Sequence, residues 1–152
     1  MTPRIHYNQI QTNIEGSKPQ LALLKVFESN NVKEIQDSLS IICDELKLEI
    51  NKDRGDAYGK TSKEEVIKSA EDMLNVKEKA TFGDLQAIGQ ALYDRYINEV
   101  IRTYAYDLYK KGEVKDYKRL ANEMIDCMLA DLKEDGLYDG EISGNIEKEV
   151  DY

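Results

Sequence analysis

The segment Gly55-Asp-Ala-Tyr-Gly59-Lys60-Thr61 is the nearest this chain comes to a phosphate-binding loop. In such a loop, backbone N–H groups and a lysine surround phosphate oxygens while a hydroxyl holds the metal ion. The pattern needs four residues between its glycines, and here there are three. Leu46-Lys-Leu-Glu-Ile50 could stand as the preceding strand, yet no later stretch reads as the further buried strands of a parallel sheet. The segment is therefore expected to be a loop that reverses the chain, with Arg54, Lys60 and Lys63 left as cations that an anion could meet. A second acidic stretch, set as a calcium loop from Asp135, places Asp139-Gly140 and Ile142 at the expected offsets. Its third position is Leu137, however, and the closing Glu147 falls one residue late, so a solvated turn is expected.

Nucleophilic chemistry has few residues to draw on. His6 is the single histidine and lies near the N-terminus, so a histidine-dependent triad would need that segment to fold back. Cys43 falls beside Leu39 and Leu46 on a helical seam, and Cys127 beside Met124 and Met128, positions that suit small apolar fillers. Two cysteines and one histidine, widely spaced, do not make a tetrahedral zinc site. No catalytic set, metal or cofactor is expected, and the chain reads as a non-enzyme.

Tyrosine is the more informative residue. Six of the ten lie between residues 93 and 117. Tyr96 and Tyr104 follow the apolar stripe of their helix, whereas Tyr93, Tyr106 and Tyr109 fall beside it, interleaved with Arg95 and Arg102. Tyrosine with arginine is the composition of buried interface centres, and this set is expected to meet a protein partner. Residues 93–119 carry seven basic against five acidic side chains, too small an excess for a nucleic-acid footprint.

The elements that must position these residues are helical. Pro19 suits a first turn, and Leu21, Leu24 and Phe27 follow at helical spacing, predicting a helix over 19–29. Asn31 and Glu34 form a capping pattern that opens a helix to about residue 48, with Val32, Ile35, Leu39, Ile42 and Leu46 as its seam. Ser62 and Glu65 repeat the pattern before Val66, Ala70, Met73 and Lys77. Thr81 and Asp84 start a long helix running to Gly112, with Leu85, Ile88, Leu92, Tyr96, Val100, Tyr104 and Leu108 on one stripe and Ile97, Ile101 and Ala105 beside it. A fifth helix over about 114–134 aligns Tyr117, Ala121, Met124 and Met128 and stops at Gly136. The expected fold is all-α: a compact bundle of about five helices (residues 17–136) around a long central one. It is flanked by an extended N-terminal arm (1–16) bearing Ile5, Tyr7, Ile10 and Ile14, and by an acidic C-terminal arm (137–152). In that last arm, Asp139-Gly140 signals a hairpin flanked by Leu137, Tyr138 and Ile142.

Charge separates the two ends. The chain has 152 residues and a net charge of −9. Residues 121–152 hold ten acidic side chains against Lys133 and Lys148, and the first 120 residues are nearly neutral. An acidic end repels nucleic acid and anionic membrane and suits basic protein partners. No apolar run approaches the roughly 20 residues needed to cross a bilayer, and the start carries no apolar signal core, so a cytoplasmic setting is expected.

Two function classes follow. In the first, the chain is a structural or assembly protein that forms a homo-oligomer or larger complex through its Tyr/Arg helix (Tyr93, Arg95, Arg102, Tyr106, Tyr109) and through Ile5, Tyr7, Leu137, Tyr138 and Ile142 of its arms. In architecture, though in no sequence motif, such a body with arms is similar to the connector or adaptor subunits that join head and tail of tailed bacterial viruses, which would place it in a virion. In the second class, the C-terminal carboxylates occupy a basic groove of a nucleic-acid-processing protein, and the chain is a regulator or inhibitor. A nucleotide-binding enzyme using the degenerate phosphate loop is the remaining alternative.

Overall fold

The computed structural model describes residues 2–52, 54, 63–75 and 81–134. Among these the chain is all-α with six helices and no strand: α1 (Pro3–Ile14), α2 (Lys18–Glu28), α3 (Val32–Ile50), α4 (Lys63–Asn75), α5 (Phe82–Lys110) and α6 (Tyr117–Glu134).

Local chemistry sets most helix ends. The Asn31 side chain accepts the Glu34 backbone N–H at 3.2 Å and caps α3. Thr81 and Asp84 close a reciprocal capping box at the start of α5, each side chain accepting the other's backbone N–H at 3.2 Å. At the far end of α5 the chain turns left-handed at Gly112, with φ of 78°. The Gly112 N–H bonds to Tyr109 O at 3.0 Å and the Glu113 N–H to Leu108 O at 2.9 Å, the paired bonds of a Schellman stop. Asp116 accepts the Arg119 N–H at 3.0 Å, so α6 begins at Tyr117, three residues later than the spacing of apolar side chains suggests.

The N-terminal segment is a helix, and the expectation of an extended arm is corrected. Thr2 accepts the Ile5 N–H at 3.4 Å, Pro3 occupies the first turn, and Tyr7, Ile10 and Ile14 then fall three and four residues apart on one face. That face is buried against α6 and α5. The stretch Leu46–Ile50 is the last turn and a half of α3 and not a strand. The Asp139-Gly140 hairpin, the stop at Gly136, the Ser62 cap and the loop over 55–61 lie outside the described residues.

The helices bury two hydrophobic clusters that share α5. One joins Ile35, Leu39, Ile42 and Leu46 of α3 to Ala22 and Val26 of α2, Val66 and Ala70 of α4, and Leu85 and Leu92 of α5. Cys43 sits within it, fully buried. The other joins Tyr7, Ile10 and Ile14 to Ile97, Ile101 and Ala105 of α5 and to Met124, Ile125 and Met128 of α6. Gly89 lets α5 approach α2 and α3 closely: a Cβ there would stand 3.1 Å from Val26 Cγ1 and 3.2 Å from Leu39 Cδ2. Tyr93 and Tyr96 bridge the two clusters.

Candidate functional site

With helices packed against it on both sides, α5 has no fully exposed residue between Gly89 and Arg102. A row of polar side chains stepping by four residues, Gln90, Asp94, Asn98 and Arg102, is buried as a result. Expected core positions Ile88, Tyr96, Val100, Tyr104 and Leu108 are instead half-buried. Arg95 and Arg102 are thus corrected: they lie inside the protein and are not part of a surface patch.

The lower part of this row forms an ion network. Arg54 leaves the end of α3 to reach α5, where Nη1 stands 2.8 Å from Glu99 Oε2 and donates to the Glu99 backbone carbonyl at 3.1 Å. Arg102 Nη1 approaches the other carboxylate oxygen at 4.0 Å. Arg54 is therefore an internal structural cation and is not displayed for an anion. Lys63 opens α4 half-buried, and Lys60 lies outside the described residues.

The upper part of the row opens into a cleft of about 240 Å³ between α1, α2, α5 and α6. Asp94, 2% exposed, lines it. Its Oδ1 accepts Gln90 Nε2 at 2.7 Å, while Oδ2 is buried without a hydrogen-bond partner. Burial pushes the Asp94 carboxyl up to about 7, against the opposing pull of the Gln90 hydrogen bond. Tyr93 faces the same cleft, its phenol pushed up to about 12 chiefly by burial. Tyr7 is raised further by burial, with the Asp131 and Asp94 carboxylates adding to the effect. Asp131, on the α6 wall, is already paired: Arg4 Nη1 contacts Oδ1 at 3.0 Å and Oδ2 at 2.9 Å.

His6 does fold onto the body, where its Nδ1 lies 2.8 Å from the Tyr104 hydroxyl. That hydroxyl donates to Gln9 Oε1 at 3.1 Å, so it accepts from His6, which places the imidazole proton on Nδ1. Burial lowers the His6 pKa. Among the described residues no cluster of three or more His, Cys, Asp or Glu side chains could hold a metal ion. No helix there is long and apolar enough to cross a membrane.

The remaining predicted site residues scatter. Tyr106, Tyr109 and Tyr117 form one aromatic group, with Tyr106 edge-on to Tyr117 at 5.3 Å and stacked on Tyr109 at 6.0 Å. Tyr109 is exposed and Tyr106 half-buried. Ile5 is exposed on α1, whereas Tyr7 is buried on the cleft wall and is not free to meet a partner. Leu137, Tyr138 and Ile142 lie outside the described residues.

Sequence reasoning passed over a second surface. The outward side of α2 and the adjoining side of α3 enclose a groove of about 580 Å³ whose floor includes Leu21, Leu24 and Ile41. These side chains are 54%, 49% and 40% exposed. Its α2 edge carries Lys18 and Lys25, and its α3 edge carries Glu34 and Asp37. The signal was present: Leu21 and Leu24 lie on the opposite side of α2 from the buried Ala22 and Val26. No protein-family model, curated protein or solved structure matches this chain.

Proposed function

We propose that the protein is a non-enzymatic assembly protein that associates with a second copy of itself through the α2–α3 face. The observation that carries this reading is the exposed apolar groove around Leu21, Leu24 and Ile41, bounded by cations on one helix and carboxylates on the other. A two-fold interface is self-complementary, each copy offering the same patch. Laying α2 of one copy over α3 of the other brings Lys18 and Lys25 to Glu34 and Asp37 twice, while the leucines leave water together. Glu28, the last residue of α2, also lines the groove one turn from Lys25.

This reading keeps the assembly class and moves its surface. The similarity to viral connector subunits rests on two arms; α1 is packed into the body, and the C-terminal arm lies outside the described residues. Of the carboxylates on which the regulator alternative relies, Asp131 is paired with Arg4, and those from Asp135 onward lie outside the described residues.

Molar mass in solution tests the proposal. The wild-type chain is expected to sediment as a dimer or larger species at about 100 μM, a concentration at which a Kd of 10 μM or tighter is evident. Leu21→Glu with Leu24→Glu should return it to monomer with its helical content intact. Lys25→Glu should weaken association at least tenfold, and adding Asp37→Lys should restore it. A wild-type monomer at that concentration, or an oligomer untouched by the leucine substitutions, overturns the reading. Removing residues 1–16 would be a poor substitute, since it uncovers the core that Tyr7, Ile10 and Ile14 close.

A further inference from the structure

Among the described residues that line the cleft between α1, α2, α5 and α6, one acid has no cation to answer it. Two carboxylates are found there, and Arg4 neutralises one of them, Asp131. The other, Asp94, is 2% exposed and has one oxygen bonded to Gln90 and the second buried without a partner. Leaving a buried acceptor unsatisfied is costly, and in native proteins such an atom marks a missing partner.

We propose that this cleft binds a small organic ammonium ion, its charged head set against the Asp94 carboxylate in the cleft wall and its apolar body lying against Tyr7, Tyr93 and Met128.

Four features of the cleft select that ligand. Among the described residues its lining contains no lysine or arginine to attract an anion. The two tyrosine rings flank the acid, and aromatic faces attract a desolvated cation. Leu23, Ile97, Met128 and Leu132 give the walls an apolar character that suits a hydrocarbon body, and among the described residues no three potential metal-ligating side chains come together. The volume of about 240 Å³ lies just under the usual range for drug-sized ligands, which limits the guest to a few heavy atoms or a single ring. Burial holds Asp94 partly protonated near neutrality, and an arriving ammonium would favour the ionised form. Self-association through the α2–α3 face neither requires nor prevents this binding.

Calorimetric titration of the full chain at pH 8 with methylammonium, butylammonium and benzylammonium chlorides, each up to about 10 mM, tests the site. At least one of the three should bind saturably, its neutral alcohol counterpart at least tenfold more weakly. Asp94→Asn should lower the affinity at least tenfold while circular dichroism stays unchanged. Leu23→Trp, which fills the cleft and keeps the acid, should lower it similarly. The proposal falls if none of the three ammonium ions binds saturably, if the alcohol binds as well as the ammonium ion, or if Asp94→Asn leaves the affinity unaltered.

Discussion

Replacing Asp94 by asparagine should make the protein's stability markedly less dependent on pH. The native carboxyl titrates at about 7 against an ordinary value of 3.8. Below about pH 4 it is protonated in both the folded and the unfolded chain, and its ionisation costs nothing. Between there and about pH 7 the unfolded chain has released the proton while the folded one retains it, so stability falls as pH rises. Above pH 7 both states are ionised and the full penalty persists. Each pH unit of separation is worth about 1.4 kcal/mol, so the folded state carries about 4 kcal/mol of cost once Asp94 is charged. At 2% exposure, solvent offers no relief.

Asparagine keeps an oxygen for the Gln90 hydrogen bond and never ionises. Urea unfolding of both chains across pH 5 to 8 gives the test. The gap between variant and wild type should widen in the variant's favour by about 2.5 kcal/mol over that interval, the share of the penalty that accrues there. The groups that face Asp94 from neighbouring helices, Tyr7 on α1 and Asp131 with its Arg4 partner, are common to both chains, as are Tyr93 beside it on α5 and His6, which meets Tyr104 further along α5. Their own titrations largely cancel in the difference. A gap constant to within about 0.5 kcal/mol over the whole interval would refute the reasoning.

Two further substitutions separate buried from exposed interactions. Glu99→Ala removes the buried carboxylate that Arg54 and Arg102 approach and should cost about 3–5 kcal/mol in urea unfolding, whereas Glu71→Ala, which breaks the exposed 3.7 Å pair with Lys47, should change stability by less than about 1 kcal/mol. Gly89→Val forces branched methyls into the space held by Val26 and Leu39 and should lower stability by about 1–3 kcal/mol, seen as a lower melting temperature without loss of the two-state transition.

The helix boundaries show what short-range chemistry can decide. Asn31 and Thr81 cap, and Gly112 stops, through bonds that span no more than five residues, so the reading of α3 and of both ends of α5 needed only the neighbouring residues. The core faces of α3 and α6 were equally legible, because each of these helices buries one side. The N-terminal helix was not read, although Thr2-Pro3 and the spacing of Tyr7, Ile10 and Ile14 carry its signal. Its few apolar side chains stand among polar ones, and α6 supplies the surface that makes burying them worthwhile.

For the candidate sites the balance reverses. Periodicity within one helix assumes that some side faces water, and that assumption holds for α2, whose outward leucines could have been noticed. It fails for α5, because whether Asp94, Glu99 and Arg102 meet solvent depends on helices from other parts of the chain, α1 and α2 before it and α6 after it. The residue types and caps determined that the chain would be helical and where most helices begin and end. Only the closing of α1 and α6 over one side of α5, with α2, α3 and α4 over the other, decided that an acid would be buried beside an open cleft. Burial depends on which surfaces meet in space, and no local pattern in the chain encodes that meeting.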